Sequence, residues 1–369
     1  MNVSAYESAY IQCIRESELA KTNSIKQITI SDVSKLAGVS TATVSRVLNN
    51  TMPVSEDTAA KVRQAVKELD FVPNTSARIL AGGKTHILGL IVPEIAALSL
   101  LPLLAGIEAT TRSLGYGLLI YSSGSDVVPG EKFRNILNEN NTDGMLVYVK
   151  SLGDEELTRL NKIGFPLVLL HHTPPKDLSI PYITFHNKRA AQELIDHLIE
   201  VHDYHRIAWL RGPDGHEDSN TREQGYRKSL SEHHIQFDPK LVGYGGFNYR
   251  DARKTVEGWL NEKLEIDAIF AGADEAAFGA ISAISDSGLR VPEDIAVVGF
   301  DDIHLDRHLF PPLTTVHADF EEAGRQAVLQ LTNLIETGES HQKVIVPTRL
   351  VIRRSCNCTW VPERRLYNP

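Results

Sequence analysis

The sequence predicts an α/β protein in which a small helical head precedes a large core built on parallel sheets. Three observations carry this reading. Between Ile28 and Pro73, apolar residues recur at helical spacing in three short blocks. Gly82 and Gly83 then punctuate the chain as a linker. Beyond them, short β-rich apolar runs alternate with helical periodicity for about 270 residues, enough for two lobes. At 369 residues the chain exceeds one simple core.

Each element of the head has a local cause. Thr29 and Asp32 form a T-x-x-D capping box that opens a helix with Val33, Leu36 and Ala37 on one face. Gly38 ends it, and Ser40 caps a second helix after a turn of only GVS. Ser55 caps a third, in which Val62, Val66 and Leu69 repeat before FVPN stops it. Two short helices around a tight Gly-containing turn, followed by a third, make the helix-turn-helix pattern. The second helix, within LAGVSTATVSRVLNN, sets the hydroxyls of Ser40, Thr41, Thr43 and Ser45 against Val44, Val47 and Leu48. A face kept this shallow suits close approach to something flat, and the N-terminal amides of such a helix favour phosphate.

After Pro73, residues 77–81 read as a short hinge helix ahead of the glycines. Eight runs then read as strands: ILGLIVPEI, YGLLIYSS, DGMLVYV, PLVLLHH, YITFHN, RIAWLRG, DAIFAGA and DIAVVGFDD. Helical stretches such as LPLLAGIEATTRSLG and NKRAAQELIDHLIEVHD lie between them. Near-continuous apolar strands mean a parallel sheet covered on both faces.

Composition narrows the function. The net charge of −9 excludes a uniformly basic nucleic-acid coat. Residues 28–84 nevertheless hold seven basic and five acidic side chains, so a polyanion would dock there. No apolar run approaches a membrane span, and residues 1–27 read as a polar extension without a secretory leader, so a cytoplasmic location is expected. Cys13, Cys356 and Cys358 make no disulfide framework. The last two have no Cys or His cluster near them in sequence to complete a zinc site, so ordinary thiols and no metal are expected. The phosphate-loop, dinucleotide, nucleophile-elbow and zinc-protease motifs are all missing from the sequence, which argues against an enzyme and implies no cofactor.

From Ile28 to Cys356 the chain resembles the lactose/galactose-repressor family of bacterial transcription regulators. The resemblance is most specific in ITISDVSKLAGVSTATVSRVLNNTMPVSEDTAAKVRQAVKELDFVPNTSARILAGG. RGP, SNTREQGY, ADEAAFGAISAISDSGLRVPEDIAVVGFDD and PPLTTVHADFEEAGRQA follow in order. It implies a helix-turn-helix DNA-binding domain over 28–73, a hinge helix and linker over 74–84, and a two-lobed core over 85–358 resembling periplasmic sugar-binding proteins. A tail would follow over 359–369. The second helix would lie in the major groove. Thr41, Ala42 and Arg46 match positions that touch base edges, and Ser40, Thr43, Ser45 and Asn49 match phosphate contacts. Ala77, Arg78 and Leu80 match a hinge in which paired leucines wedge into the minor groove. That pairing implies a homodimer on near-palindromic double-stranded DNA. The C-terminus lacks the leucine heptads with which some members form tetramers.

In the core, the resemblance puts a small sugar or sugar derivative between the lobes. Arg222 matches an arginine that bridges ligand hydroxyls, Asp301 a strand-end carboxylate, and Phe247 an aromatic that stacks on the ligand. The chain also departs from the family. Ser99 and Leu100 replace a common aromatic pair, His171 replaces an acid, Ala273 stands where Asn is common, and Glu94 ends the first strand. Arg222, Asp301, Phe247, His171, Glu94 and Ala273 are therefore the candidate effector contacts. The implied function is a repressor controlled by that effector. Two alternatives stay open: a corepressor mode in which ligand or partner strengthens DNA binding, and a sugar-binding protein without DNA function.

Overall fold

A computed structural model describes residues 28–49, 52–71, 84–124 and 137–359. It divides into two units, Met1–Gly83 and Lys84–Pro369. The expected N-terminal extension, most of the hinge and the residues from Trp360 onward lie outside the described residues.

In the head, helix α1 spans Ile30–Ala37, α2 Thr41–Asn49 and α3 Glu56–Glu68. The capping box at Thr29 is present, with the Asp32 carboxylate accepting from the Thr29 backbone N–H at 2.9 Å. Gly38 closes α1 with a φ of 66°, a backbone region that suits glycine. Ser40 caps α2 as expected, its Oγ accepting from the Thr43 N–H at 3.1 Å. Ser55 stands at the start of α3 but makes no capping bond, because its hydroxyl pairs with Thr58 Oγ1 at 2.8 Å. Val33, Ala37, Val44, Val62, Ala65 and Phe71 close into one small core. Burying each valine contributes roughly 1.5–3 kcal/mol. A core this small leaves the outward face of α2 free of packing duty.

The second unit holds two parallel sheets. The first contains β1 (Ile87–Val92), β2 (Gly117–Ser122), β3 (Gly144–Tyr148), β4 (Leu167–Leu170), β5 (Tyr182–Phe185) and β11 (Lys343–Val346), in the order β11-β5-β4-β3-β1-β2. The second is β7-β6-β8-β9, from Val242–Tyr244, Ile207–Arg211, Ala268–Ala271 and Ala296–Val298. All the sheet pairings are parallel. Strands β10 (Thr315–Ala318) and β12 (Thr348–Val351) pair antiparallel as a separate ribbon.

The eight apolar runs of the sequence are the strands β1 to β6, β8 and β9. Short β7, β10, β11 and β12 are further strands that the sequence reading did not single out. Helices α4 (Leu100–Ser113), α5 (Asp154–Lys162), α6 (Asn187–His202), α7 (Glu217–Glu232), α8 (Tyr249–Asn261), α9 (Asp274–Asp286) and α10 (Phe320–Thr337) complete this unit. The chain passes between lobes near residue 186 and again near 319, so α10 and β11 return to the first lobe. Both sheets direct the carboxyl ends of their strands toward the same region, where α/β proteins hold ligands.

Candidate functional site

On the head, the outward face of α2 is what its sequence suggests. Ser40, Thr41, Ala42 and Arg46 are exposed, Thr43 and Ser45 partly so, while Val44 is fully buried beneath them. The Ser40 and Thr43 hydroxyls lie 2.9 Å apart, which fixes both rotamers at the helix start. Among the described residues no acid forms an ion pair with Arg46, whereas Arg63 pairs with Glu56. The Asn49 side chain and the residues Ala77, Arg78 and Leu80 lie outside the described residues.

In the core, four of the six candidate effector residues come together. Arg222, on α7, is 3% exposed. Its Nε donates to Asn187 Oδ1 at 2.9 Å, and its NH1 donates to the Gly272 carbonyl. Asp301 Oδ1 stands 3.6 Å from NH1, and Asp218 Oδ2 stands 3.9 Å from NH2. The guanidinium lies flat over Phe300, 3.6 Å from the ring centroid, with Phe247 farther off at 5.5 Å. A buried cation requires such company, because an unpaired one costs several kcal/mol.

His171 follows β4 and belongs to the first lobe. Its Nδ1–H donates to Asp218 Oδ2 at 3.0 Å, so the two lobes meet through a buried hydrogen bond. Nearby, the Thr173 N–H donates to Glu217 at 2.7 Å across the same divide. The imidazole is stacked on Phe320, tilted against Phe185 and edge-on to Tyr148. Its Nε2 is buried without a hydrogen-bond partner among the described residues.

The electrostatics follow from burial and pairing. Burial by itself would raise Asp218, but the His171 hydrogen bond and the Arg222 charge hold its carboxyl at about 2. Asp301 moves the other way. Burial lifts it well above the usual carboxylate range, Arg222 only partly opposes this, and Asp274 and Asp218 add to the rise. Burial also raises the Tyr148 phenol and pushes the His216 imidazole down to about 4. The site therefore combines one ionised acid, one acid that resists ionisation and a guanidinium between them.

Backbone geometry at these positions is unusual. His171, Phe247, Asp301 and Asp302 take positive φ values of 62°, 59°, 127° and 59°. Non-glycine residues held this way cost about 1–3 kcal/mol each and cluster at functional sites. Beneath Asp301, a buried anchor holds the turn. Asp274 accepts from the Asp302 and Ile303 N–H groups and from the Thr315 hydroxyl. Burial and the adjacent Asp274 push Asp306 up to about 11, and both of its carboxyl oxygens are buried without a hydrogen-bond partner among the described residues. Asp302 is in turn gripped by Arg353 and His317.

Phe247 rests on two glycines. A Cβ at Gly212 would meet its ring at 2.3 Å and one at Gly272 at 2.7 Å, so both positions require glycine. The His216 ring meets it edge-on at 5.0 Å.

The other two candidates stand apart from this cluster. Ala273 is a buried, extended residue at the start of α9 that offers no polar group. Glu94 is exposed and faces Glu275, a half-buried acid that burial raises and Glu94 raises further. Of the two departures near α4, Ser99 hydrogen-bonds Tyr148, while Leu100 is core. The sequence reading missed Asn187, Asp218, Tyr148 and His216 as site residues; Tyr148 and Asn187 were read only as parts of a strand run and a helical run.

The sequence reading of the C-terminal cysteines needs correction. Two histidines from α6, His197 and His202, lie against Cys356 and Cys358, so the thiols are not isolated. No spacing along the chain shows this.

Comparison with known proteins agrees with the architecture. Residues 29–74 match the model for bacterial regulatory proteins of the lacI family, and residues 195–356 match that of a periplasmic binding protein-like domain. The HTH-type transcriptional repressor PurR of Haemophilus influenzae (strain PittEE) is 32% identical over 332 residues, covering 89% of this chain and 98% of that protein. The HTH-type transcriptional regulator RegA of Clostridium acetobutylicum is 31% identical over 330 residues, with coverage of 89% and 98%. Among solved structures, the lac repressor dimer bound to operator and the anti-inducer ONPF gives a TM-score of 0.78 at 28% identity, covering 90% of this chain and 99% of that one. The complex of transcriptional regulator CelR with cellobiose gives 0.68 at 30% identity, covering 89% and 99%.

A helix-turn-helix head joined to a two-lobed binding-protein core defines a DNA-binding transcription regulator. The chain belongs to the lacI family of bacterial regulatory proteins and is one of its transcriptional repressors. No described helix is long and apolar enough to cross a membrane.

Proposed function

We propose that this repressor binds a near-palindromic operator as a homodimer and releases it when a small uncharged sugar occupies the region around Arg222. The observation that carries the effector half is the buried cluster of Arg222, Asp218, Asp301 and His171 at facing strand ends of two lobes. Its guanidinium is already flanked by two carboxyls. The ionised Asp218 already balances the guanidinium charge, whereas vicinal hydroxyls can both donate to Asp301 and accept from Arg222. Phe247 supplies an apolar face for the ring of such a ligand. The cellobiose complex of CelR supports a saccharide as the ligand class.

On the DNA side, Arg46 is the side chain of α2 able to bind O6 and N7 of guanine together, worth about 1–3 kcal/mol of discrimination. Thr41 and Ala42 reach base edges, while Ser40, Thr43, Ser45 and Asn49 contact phosphate. Ala77, Arg78 and Leu80 form the minor-groove hinge. The dimeric lac repressor on its operator supports the twofold arrangement. Because effector and operator act through two states of one core, ligand must favour the state with the lower DNA affinity.

The test is a thermal-shift screen of neutral mono- and disaccharides, sugar phosphates and uronates on the purified protein. A ligand at a hundred times its Kd stabilises by about 2.7 kcal/mol. A hit among neutral sugars that Phe247→Ala abolishes supports the reading. Hits confined to anions, or unaffected by Phe247→Ala, overturn it.

A further inference from the structure

We propose that His197, His202, Cys356 and Cys358 form a four-coordinate zinc site in the second lobe, separate from the effector region. The four residues come from two distant parts of the chain. His197 and His202 occupy the last turns of α6, and the two cysteines lie in the segment after β12. Their ligand atoms all lie within 4.8 Å of one another. His197 Nε2 is 3.7 Å from Cys356 Sγ and 3.5 Å from Cys358 Sγ, and His202 Nε2 is 3.3 Å from Cys358 Sγ.

These separations match a known polyhedron. Zn–S bonds of about 2.3 Å and Zn–N bonds of about 2.0–2.1 Å at tetrahedral angles put sulfur and nitrogen about 3.5–3.6 Å apart. The three observed values bracket that distance. Two thiolates and two neutral imidazoles also leave no net charge around a divalent zinc ion, which suits a half-buried location.

The surroundings orient the ligands as a metal site requires. The Thr314 hydroxyl accepts from the Arg353 N–H at 2.8 Å, so its own hydrogen is free for Cys356 Sγ at 3.1 Å. That arrangement treats the sulfur as an acceptor, as a metal-bound thiolate is. The same sulfur lies 3.6 Å from the Arg353 carbonyl. Tyr204 stacks on the His202 ring and fixes its plane. A groove of about 670 Å³, lined in part by Leu289, Pro292, Phe310, Cys358 and Thr359, gives an ion access from outside. Bound zinc would staple residues 353–358 to α6. Arg353 at one end of that segment holds Asp302, and Asn187 at the start of α6 holds Arg222.

The experiment uses full-length protein without a histidine tag, purified under reducing conditions. Zinc is measured by elemental mass spectrometry after dialysis, and Co(II) is exchanged into the apo-protein. The proposal expects one zinc per chain, with thiolate-to-cobalt charge transfer and the visible d–d bands of a tetrahedral Co(II) site. Both signatures should be lost in Cys358→Ser and in His202→Ala, while operator-type DNA is still retained by both variants. Zinc bound equally by wild type and Cys358→Ser, an octahedral Co(II) spectrum, or a Cys356–Cys358 disulfide in place of metal would each overturn it. Because these readouts need no effector, failure here is distinct from failure of the effector reading.

Discussion

The two candidate recognition surfaces of this repressor are built on opposite rules. On α2 the side chains that face outward are short, exposed and supported by one small core, and among the described residues no acid pairs with Arg46. Around Arg222 the charged groups are buried against one another, and the strained turn at Asp301 and Asp302 is held by a network extending to Asp274 and Arg353. The contrast teaches that a polyanion is read by a surface with spare donors, whereas a small polar molecule is met by donors and acceptors preorganised against one another.

The sharpest way to break this contrast is to remove the central cation. Arg222→Ala leaves Asp218 and Asp301 buried without their partner, so the core should lose about 3–5 kcal/mol in thermal unfolding and the effector response should vanish. Intact stability with a retained response would show that the network is not organised around Arg222.

Acid should also separate the two regions. Burial pushes His172 and His216 down to about 4 in the folded core, below the ordinary value of 6.5. A depressed imidazole is neutral in the fold and protonated when unfolded. Its contribution is thus complete above pH 6.5 and is lost as pH falls toward 4. The loss should reach up to about 2 kcal/mol per residue at pH 5. The head has no histidine between Ile28 and Phe71, so its helices should be insensitive over that range. Calorimetry at pH 7 and pH 5 would detect the difference, and equal losses in both regions would contradict it.

Arg46→Ala should cost about 1–3 kcal/mol of discrimination at one base per half-site while leaving the effector response unchanged. Selection from a randomised operator library would reveal it, and unaltered selectivity would remove Arg46 from base reading. The smallest effect is expected from Thr29→Ala, which removes one arm of the capping box and should destabilise the head by about 1 kcal/mol without touching the core.

How far each region could be read from sequence follows from the range of its contacts. The head is local: Thr29 with Asp32, Gly38 and Ser40 act within four residues, and each was legible. Ser55 stands at the N-cap as read, but its hydroxyl pairs with Thr58 and makes no capping bond. In the core, the strands were legible as apolar runs, and a family resemblance brought Arg222, Asp301, Phe247 and His171 into view. Their partners were not legible. Asn187 reaches Arg222 across 35 residues, and Asp218 reaches His171 across 47. The same holds for Cys358 and His202, which are 156 residues apart in the chain and 3.3 Å apart in space.

The central claim is that occupancy at Arg222 controls the surface of α2. Its most direct test is to load sheared DNA from the source genome onto immobilised repressor at near-physiological salt, then elute with neutral saccharides. The account predicts that ligand-free protein retains a palindromic fragment and that one saccharide releases it from wild type but not from Phe247→Ala. Retention only when a metabolite is present, or release that is indifferent to Phe247, would contradict it.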